Sequence, residues 1–183
     1  MNEAIIQPIA GLAVTKGGIT FTFSDAGGNL YYNSPSGGQL TYVQDPSIGG
    51  PPELFAVRFS VPVYFIQFGM VGGPSAATPM ATVSLYNGMT LVTTMTLNSS
   101  LTDPFPEGQF TYSSATPVTS MTITPSGTFA DIGFDNLTVT TTPPPPPPAV
   151  PATSPFTLAL MTAGIVGLGG YVLRRSFRPS TSH

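Results

Sequence analysis

The sequence predicts an all-β chain, an antiparallel β-sandwich over residues 19–140, and three observations predict it. Apolar residues alternate with Thr and Ser in short runs, the period of a half-buried strand. Those runs are separated by Gly, Pro and Asn clusters that suit tight turns. Charged residues make up only 7% of the 183-residue chain, which also holds 20 Gly and 21 Pro, a composition that disfavours helices.

The strands follow in order. Ile19, Phe21 and Phe23 alternate with Thr20 and Thr22, giving one apolar and one polar face. Phe55, Val57 and Phe59 repeat the pattern around Arg58, and VYFIQF (residues 63–68) is nearly continuous, as in a strand covered on both faces. In TVSLYNGMTLVTTMTL two strand-like runs flank Asn87-Gly88, a pair suited to a two-residue type I′ hairpin. Beyond it Met89, Leu91, Met95 and Leu97 are expected on one face. Thr119, Met121 and Ile123 alternate before Pro125. In the last run, Ile132 and Phe134 share one parity while Leu137 and Val139 have the other. A one-residue slip near Asp135-Asn136 would return both pairs to the core, so a β-bulge is expected there.

Charge and cysteine narrow the function. All eight acidic residues lie between Glu3 and Asp135, with only Lys16 and Arg58 as basic residues over that stretch. A body with this acidic excess does not neutralise phosphates, so no nucleic-acid partner is expected. The chain has no cysteine, and its one histidine is the terminal His183. Disulfides, thiol chemistry and a Ser-His nucleophile in the body are thereby excluded.

The C-terminal forty residues are the most explicit. Residues 143–148 are an unbroken proline run, a stiff polyproline II spacer. Residues 156–173 (FTLALMTAGIVGLGGYVL) are an uncharged apolar run of 18, the short end of what spans a bilayer as a helix. Ala159, Ala163 and Gly167 fall four apart within it, a small-residue stripe of the kind that lets two membrane helices approach. Arg174, Arg175 and Arg178 follow at once, which places the C-terminus inside and the body outside the cell. The expected organisation is an N-terminal segment (1–18), the sandwich (19–140), a Thr/Pro-rich stalk with a short signature (141–155), a transmembrane helix (156–173) and a basic cytoplasmic tail (174–183). The start, MNEAIIQPIAGLAVTKGG, lacks the basic n-region of an export leader; the expectation is that the true leader is missing from it.

This layout resembles the bacterial PEP-CTERM sorting signals processed by exosortases, which combine a Pro-containing signature, an apolar helix and a final arginine cluster. Val150, Pro151, Ala152, Thr153, Ser154 and Pro155 occupy the signature position, most like the variant group with a V/I-P-x-x-S start. No Pro-Glu-Pro is present, and Phe156-Thr157 stands where the variant group often has Trp-Gly. The same residues also resemble the sortase signal LPXTG, from which V-P-A-T-S differs at the first and last positions. Either resemblance implies a membrane-bound processing enzyme that cuts near the signature, with the arginines as retention charges. GFDNLTVTT near the end of the body, and FxVxFSxPV at residues 55–63, resemble strands of the secreted jelly-roll and carbohydrate-binding-like domains that often precede such tails. A jelly-roll-like sandwich is the corresponding expectation.

Within the body the candidate sites are few. Glu53, Glu107 and the aspartates stand in turn-like stretches, where carboxylates ordinarily accept local backbone N–H groups rather than form a glycosidase pair. Asp131 and Asp135, with Asn136, are the weak candidates for Ca²⁺, against which bulge and turn stabilisation is the favoured reading. Tyr31 and Tyr32 are candidate glycan contacts through their aromatic faces, in a chain with no tryptophan. No cofactor and no enzymatic activity are expected. The expected function is a cell-surface or extracellular-matrix structural or adhesive protein with membrane and polysaccharide or matrix partners. The alternatives are a carbohydrate-binding module and a sortase-anchored wall protein.

Overall fold

The computed structural model describes residues 7–34, 40–44, 47–73, 79–100, 105–126 and 129–146. Ten strands appear in order: β1 (Gln7–Pro8), β2 (Ala13–Lys16), β3 (Ile19–Asp25), β4 (Tyr31–Ser34), β5 (Ser47–Gly50), β6 (Phe55–Gly72), β7 (Ala81–Asn87), β8 (Thr90–Leu97), β9 (Glu107–Pro125) and β10 (Ile132–Thr140). Among the described residues there is no helix, and every strand pair is antiparallel. The all-β expectation therefore holds. The sheet begins earlier than the sequence suggested: β1 and β2 lie inside residues 1–18, and Ile9 between them is fully buried.

Strands β6 and β9 organise the architecture. The runs FAVRFS and VYFIQF are one continuous strand of 18 residues, and β9 runs for 19. Between Arg58 and Val63 β6 advances five residues while β9 recedes two; between Val63 and Phe65 β6 advances two while β9 recedes five. The two irregularities cancel, so the pairing returns to its first register. Each contains a proline, Pro62 and Pro117, which lacks the N–H a regular ladder needs and is tolerated at bulges. Tyr112 Oη donates to Thr116 O (2.9 Å) and Thr116 N–H donates to Ser114 Oγ (3.0 Å), which closes the excursion in β9.

On one side of this irregularity the first half of β6 pairs with β3, and the second half of β9 pairs with β7, which carries β8 at its edge. On the other side the second half of β6 pairs with β10, followed by β5, β4 and β1. Both halves feed one core. Phe55, in the first half of β6, meets Phe134 of β10 edge-on at 5.3 Å, and Phe134 meets Phe68 at 4.9 Å. Each fully buried side chain of this size contributes about 1.5–3 kcal/mol. The arrangement is consistent with a β-sandwich.

The expected bulge is present. Asp135 pairs with Gly69 and Thr138 with Gln67, so three steps on β10 oppose two on β6. Asn136 is the extra residue and takes φ 57, alone among described non-glycine residues in having positive φ. Phe134 is buried, and Leu137 and Val139 pack half-buried against the same core.

The hairpin departs from its expectation. Asn87 pairs with Thr90, so the loop is Gly88-Met89, and only Gly88 has positive φ (60), the pattern of a type II′ rather than a type I′ turn. Tyr86 pairs with Leu91 but Leu85 with Thr93, so Val92 is an extra residue on β8. This slip overturns the single apolar face: Val92 and Met95 pack on the core, whereas Leu91 is 53% exposed and Met89 wholly exposed.

Candidate functional site

The body holds its polar machinery at three places. The largest is a network around residues 40–44, which cross over β6 and β10. Glu107, at the start of β9, is 1% exposed, and its carboxylate accepts the N–H groups of Thr41 (3.1 Å) and Tyr42 (2.6 Å). Asp135 Oδ2 accepts from Gln44 N–H at 3.2 Å, and Asn136 Nδ2 donates to Tyr42 O at 2.9 Å. Tyr42 O rests on Gly69, where a Cβ would come within 2.0 Å of it; only glycine permits this approach. Val43 is fully buried beneath the crossing. A buried carboxylate needs donors, and here backbone amides supply them. The network clamps the loop of residues 40–44.

The weak calcium candidates Asp131 and Asp135 line different clefts. Asp135 is engaged with Gln44, while Asp131 is exposed and borders a separate cleft of about 220 Å³ with Gly73 and Phe105. Among the described residues no group of three or more His, Asp or Glu side chains is arranged to hold a metal. Glu53 and Glu107 are engaged with separate backbone donors. Glu53 accepts the backbone and side-chain N–H groups of Asn29 (2.8 and 3.3 Å), and Asp25 Oδ2 accepts from Leu30 N–H (3.0 Å). These acids hold the turn between β3 and β4; Asp25 does so locally, whereas Glu53 reaches across 24 residues to Asn29. Asp25 Oδ1 is buried without a partner among the described residues.

The third place is an open groove of about 270 Å³. Val14 and Lys16 of β2, Phe21 of β3, Tyr32 of β4, Ile48 of β5 and Leu137 of β10 line it. Apolar side chains from both halves of the sheet thus meet solvent here, with Lys16 as the cation at the groove. Tyr31 and Tyr32 are comparably exposed, 38% and 37%, but adjacent strand residues point to opposite faces. Tyr32 borders the groove and Tyr31 does not, so the two tyrosines do not form one aromatic platform. Tyr112, by contrast, is buried with its hydroxyl satisfied.

Sequence reasoning missed the burial of Glu107. TDPFPEG reads as a turn, and the partners of Glu107 lie 65 and 66 residues away, so no local pattern could have found them. The remaining expected site residues, Val150, Pro151, Ala152, Thr153, Ser154, Pro155, Arg174, Arg175 and Arg178, lie outside the described residues, as does the apolar run 156–173. Among the described residues no helix is long and apolar enough to cross a membrane. The body leaves β10 at Thr140; Thr142 and Pro144 then border a shallow pocket with Tyr64, Phe65 and Ser113. Neither the protein-family models nor the curated proteins contain a match to this chain.

Proposed function

We propose that the chain is a surface-displayed structural or adhesive module, in which a jelly-roll-like β body stands on a proline stalk behind a membrane-anchoring sorting tail. The observation that carries this reading is the order of parts after Thr140: proline run, V-P-A-T-S-P, an uncharged apolar run of 18, arginine cluster. A span with arginines on its far side orients the body outward. Val150, Pro151, Ala152, Thr153, Ser154 and Pro155 serve as the recognition element for an exosortase- or sortase-like enzyme, and Arg174, Arg175 and Arg178 hold the tail until it is cut. Four of the body's carboxylates support a structural role, because Glu53, Glu107, Asp25 and Asp135 accept backbone N–H groups.

Protease added to intact cells of the native host tests this directly. The expected result is loss of the β body from the cells while a cytoplasmic marker survives. Full protection of the body would rule the reading out. Intact mass of the mature protein then distinguishes retention of the tail from cleavage near residues 150–155.

One observation favours a second reading, a carbohydrate-binding module: Tyr32 presents an aromatic ring beside an open groove. A glycan array probed with the protein would show binding that Tyr32→Ala abolishes and Tyr31→Ala leaves intact. Equal effects of the two substitutions would remove the groove from consideration.

A further inference from the structure

Sheet edges expose unpaired backbone N–H and C=O groups, and proteins blunt them with shortness, proline or lysine. Two edges here are blunted in that way. β1 is two residues long and ends in Pro8, and β2 is four residues long and ends in Lys16, the chain's single lysine. The outer side of early β9 is partly covered, since Ser100 N–H donates to Glu107 O (2.8 Å) and Asn98 O packs on Gly108. The strand β8 is different. It is eight residues long (TLVTTMTL), among the described residues pairs only with β7, and contains neither a charge nor a proline. Leu91 stands 53% exposed on it, with the wholly exposed Met89 at the adjoining turn.

We propose that β8 is an interface through which two copies of this chain pair edge to edge, antiparallel. Charge argues for a second copy. The acidic residues of the body repel a like molecule wherever they face it, but no residue from 59 to 102 is charged. The hairpin of β7 and β8 is thus an uncharged zone on an acidic body, where two copies meet without opposed carboxylates. A basic partner would instead be drawn to the acids elsewhere. Antiparallel pairing of a strand with itself has a two-fold axis, so one patch serves both copies and the assembly closes as a pair. Thr90, Thr94 and Thr96 are exposed β-branched residues, and threonines facing across an antiparallel pair are favourable neighbours. The inference goes beyond the display reading and stands without it, because it depends only on the body.

The test uses the full chain in a mild detergent, with mass measured by sedimentation velocity over a dilution series. The wild type is expected to shift from dimer to monomer on dilution. Leu91→Lys with Thr96→Lys places charges at exposed positions of the edge and is expected to weaken self-association about tenfold or more; Val14→Lys, on β2, is the control and leaves it unchanged. A second measurement does not depend on that variant folding. The chain has no cysteine, so Thr94→Cys at the middle of β8 can form only an intermolecular disulfide, which needs the two Cα atoms within about 7 Å. Rapid oxidation to a covalent dimer is expected, with none for Val14→Cys. A wild type that stays monomeric at all concentrations overturns the proposal. So does a dimer that persists in the lysine variant, which would assign pairing to the apolar tail, or a Thr94→Cys chain that oxidises no faster than Val14→Cys.

Discussion

Asn136 carries two separable duties, left-handed backbone and a side-chain hydrogen bond to Tyr42 O. Substitution can divide them. Asn136→Gly keeps the φ and loses the bond, for an expected cost of about 1 kcal/mol or less. Asn136→Ala loses the bond and also asparagine's tolerance of left-handed backbone, a conformation that costs residues without such a side chain about 1–2 kcal/mol. Urea unfolding midpoints of the two variants check the order, which reverses if the bulge is not held as described. Glu107 presents the opposite case, a carboxylate 1% exposed that accepts the backbone N–H groups of Thr41 and Tyr42. Glu107→Ala strands the amides of Thr41 and Tyr42 and opens a void, so a loss of about 2–4 kcal/mol is expected. Glu107→Gln keeps an acceptor for one amide and turns a second donor on the other. It should fall between Ala and wild type in the same titration.

At the level of the element, the contrast between β10 and β8 shows what a sequence reveals. The β10 bulge was legible because apolar parity changes between Phe134 and Leu137, and only one inserted residue reconciles them. The β8 bulge was not, because Leu91 and Val92 are adjacent and either fits an apolar face; pairing with β7 decides for Val92. Likewise Asn87-Gly88 is a strong local turn signal, yet the ladder extends through Asn87 and hands the turn to Gly88-Met89. The Gly88 N–H is donated to Thr119 Oγ1 at 2.8 Å, a contact from β9 that no local rule includes. A testable difference follows. In a type I′ turn asparagine is welcome at the first central position, whereas a type II′ turn prefers glycine there. Nothing lies within 4 Å of a Cβ built on Gly88, so any cost is conformational. Gly88→Asn and Gly88→Ala should both lose about 1 kcal/mol; an Asn variant as stable as wild type would overturn the type II′ geometry.

For the whole molecule, the decisive matter is whether the apolar run 156–173 belongs to the core of the body or to a bilayer. Every buried residue of the described core comes from between Ile9 and Phe134, and Leu137 and Val139 are the last side chains packed against it. The described residues up to Pro145 form one compact unit by themselves. If the body completes its own core, truncation after Pro146 should leave the urea midpoint and the dependence of unfolding on urea unchanged, because that dependence scales with the surface exposed on unfolding. If the run instead fills the body, its removal takes away the large apolar side chains of an 18-residue stretch, worth about 0.8 kcal/mol per buried methylene. The truncated chain would then collapse in stability or fail to fold. A truncated body that melts like the full chain leaves the apolar run free for a membrane, which is the condition that surface display requires.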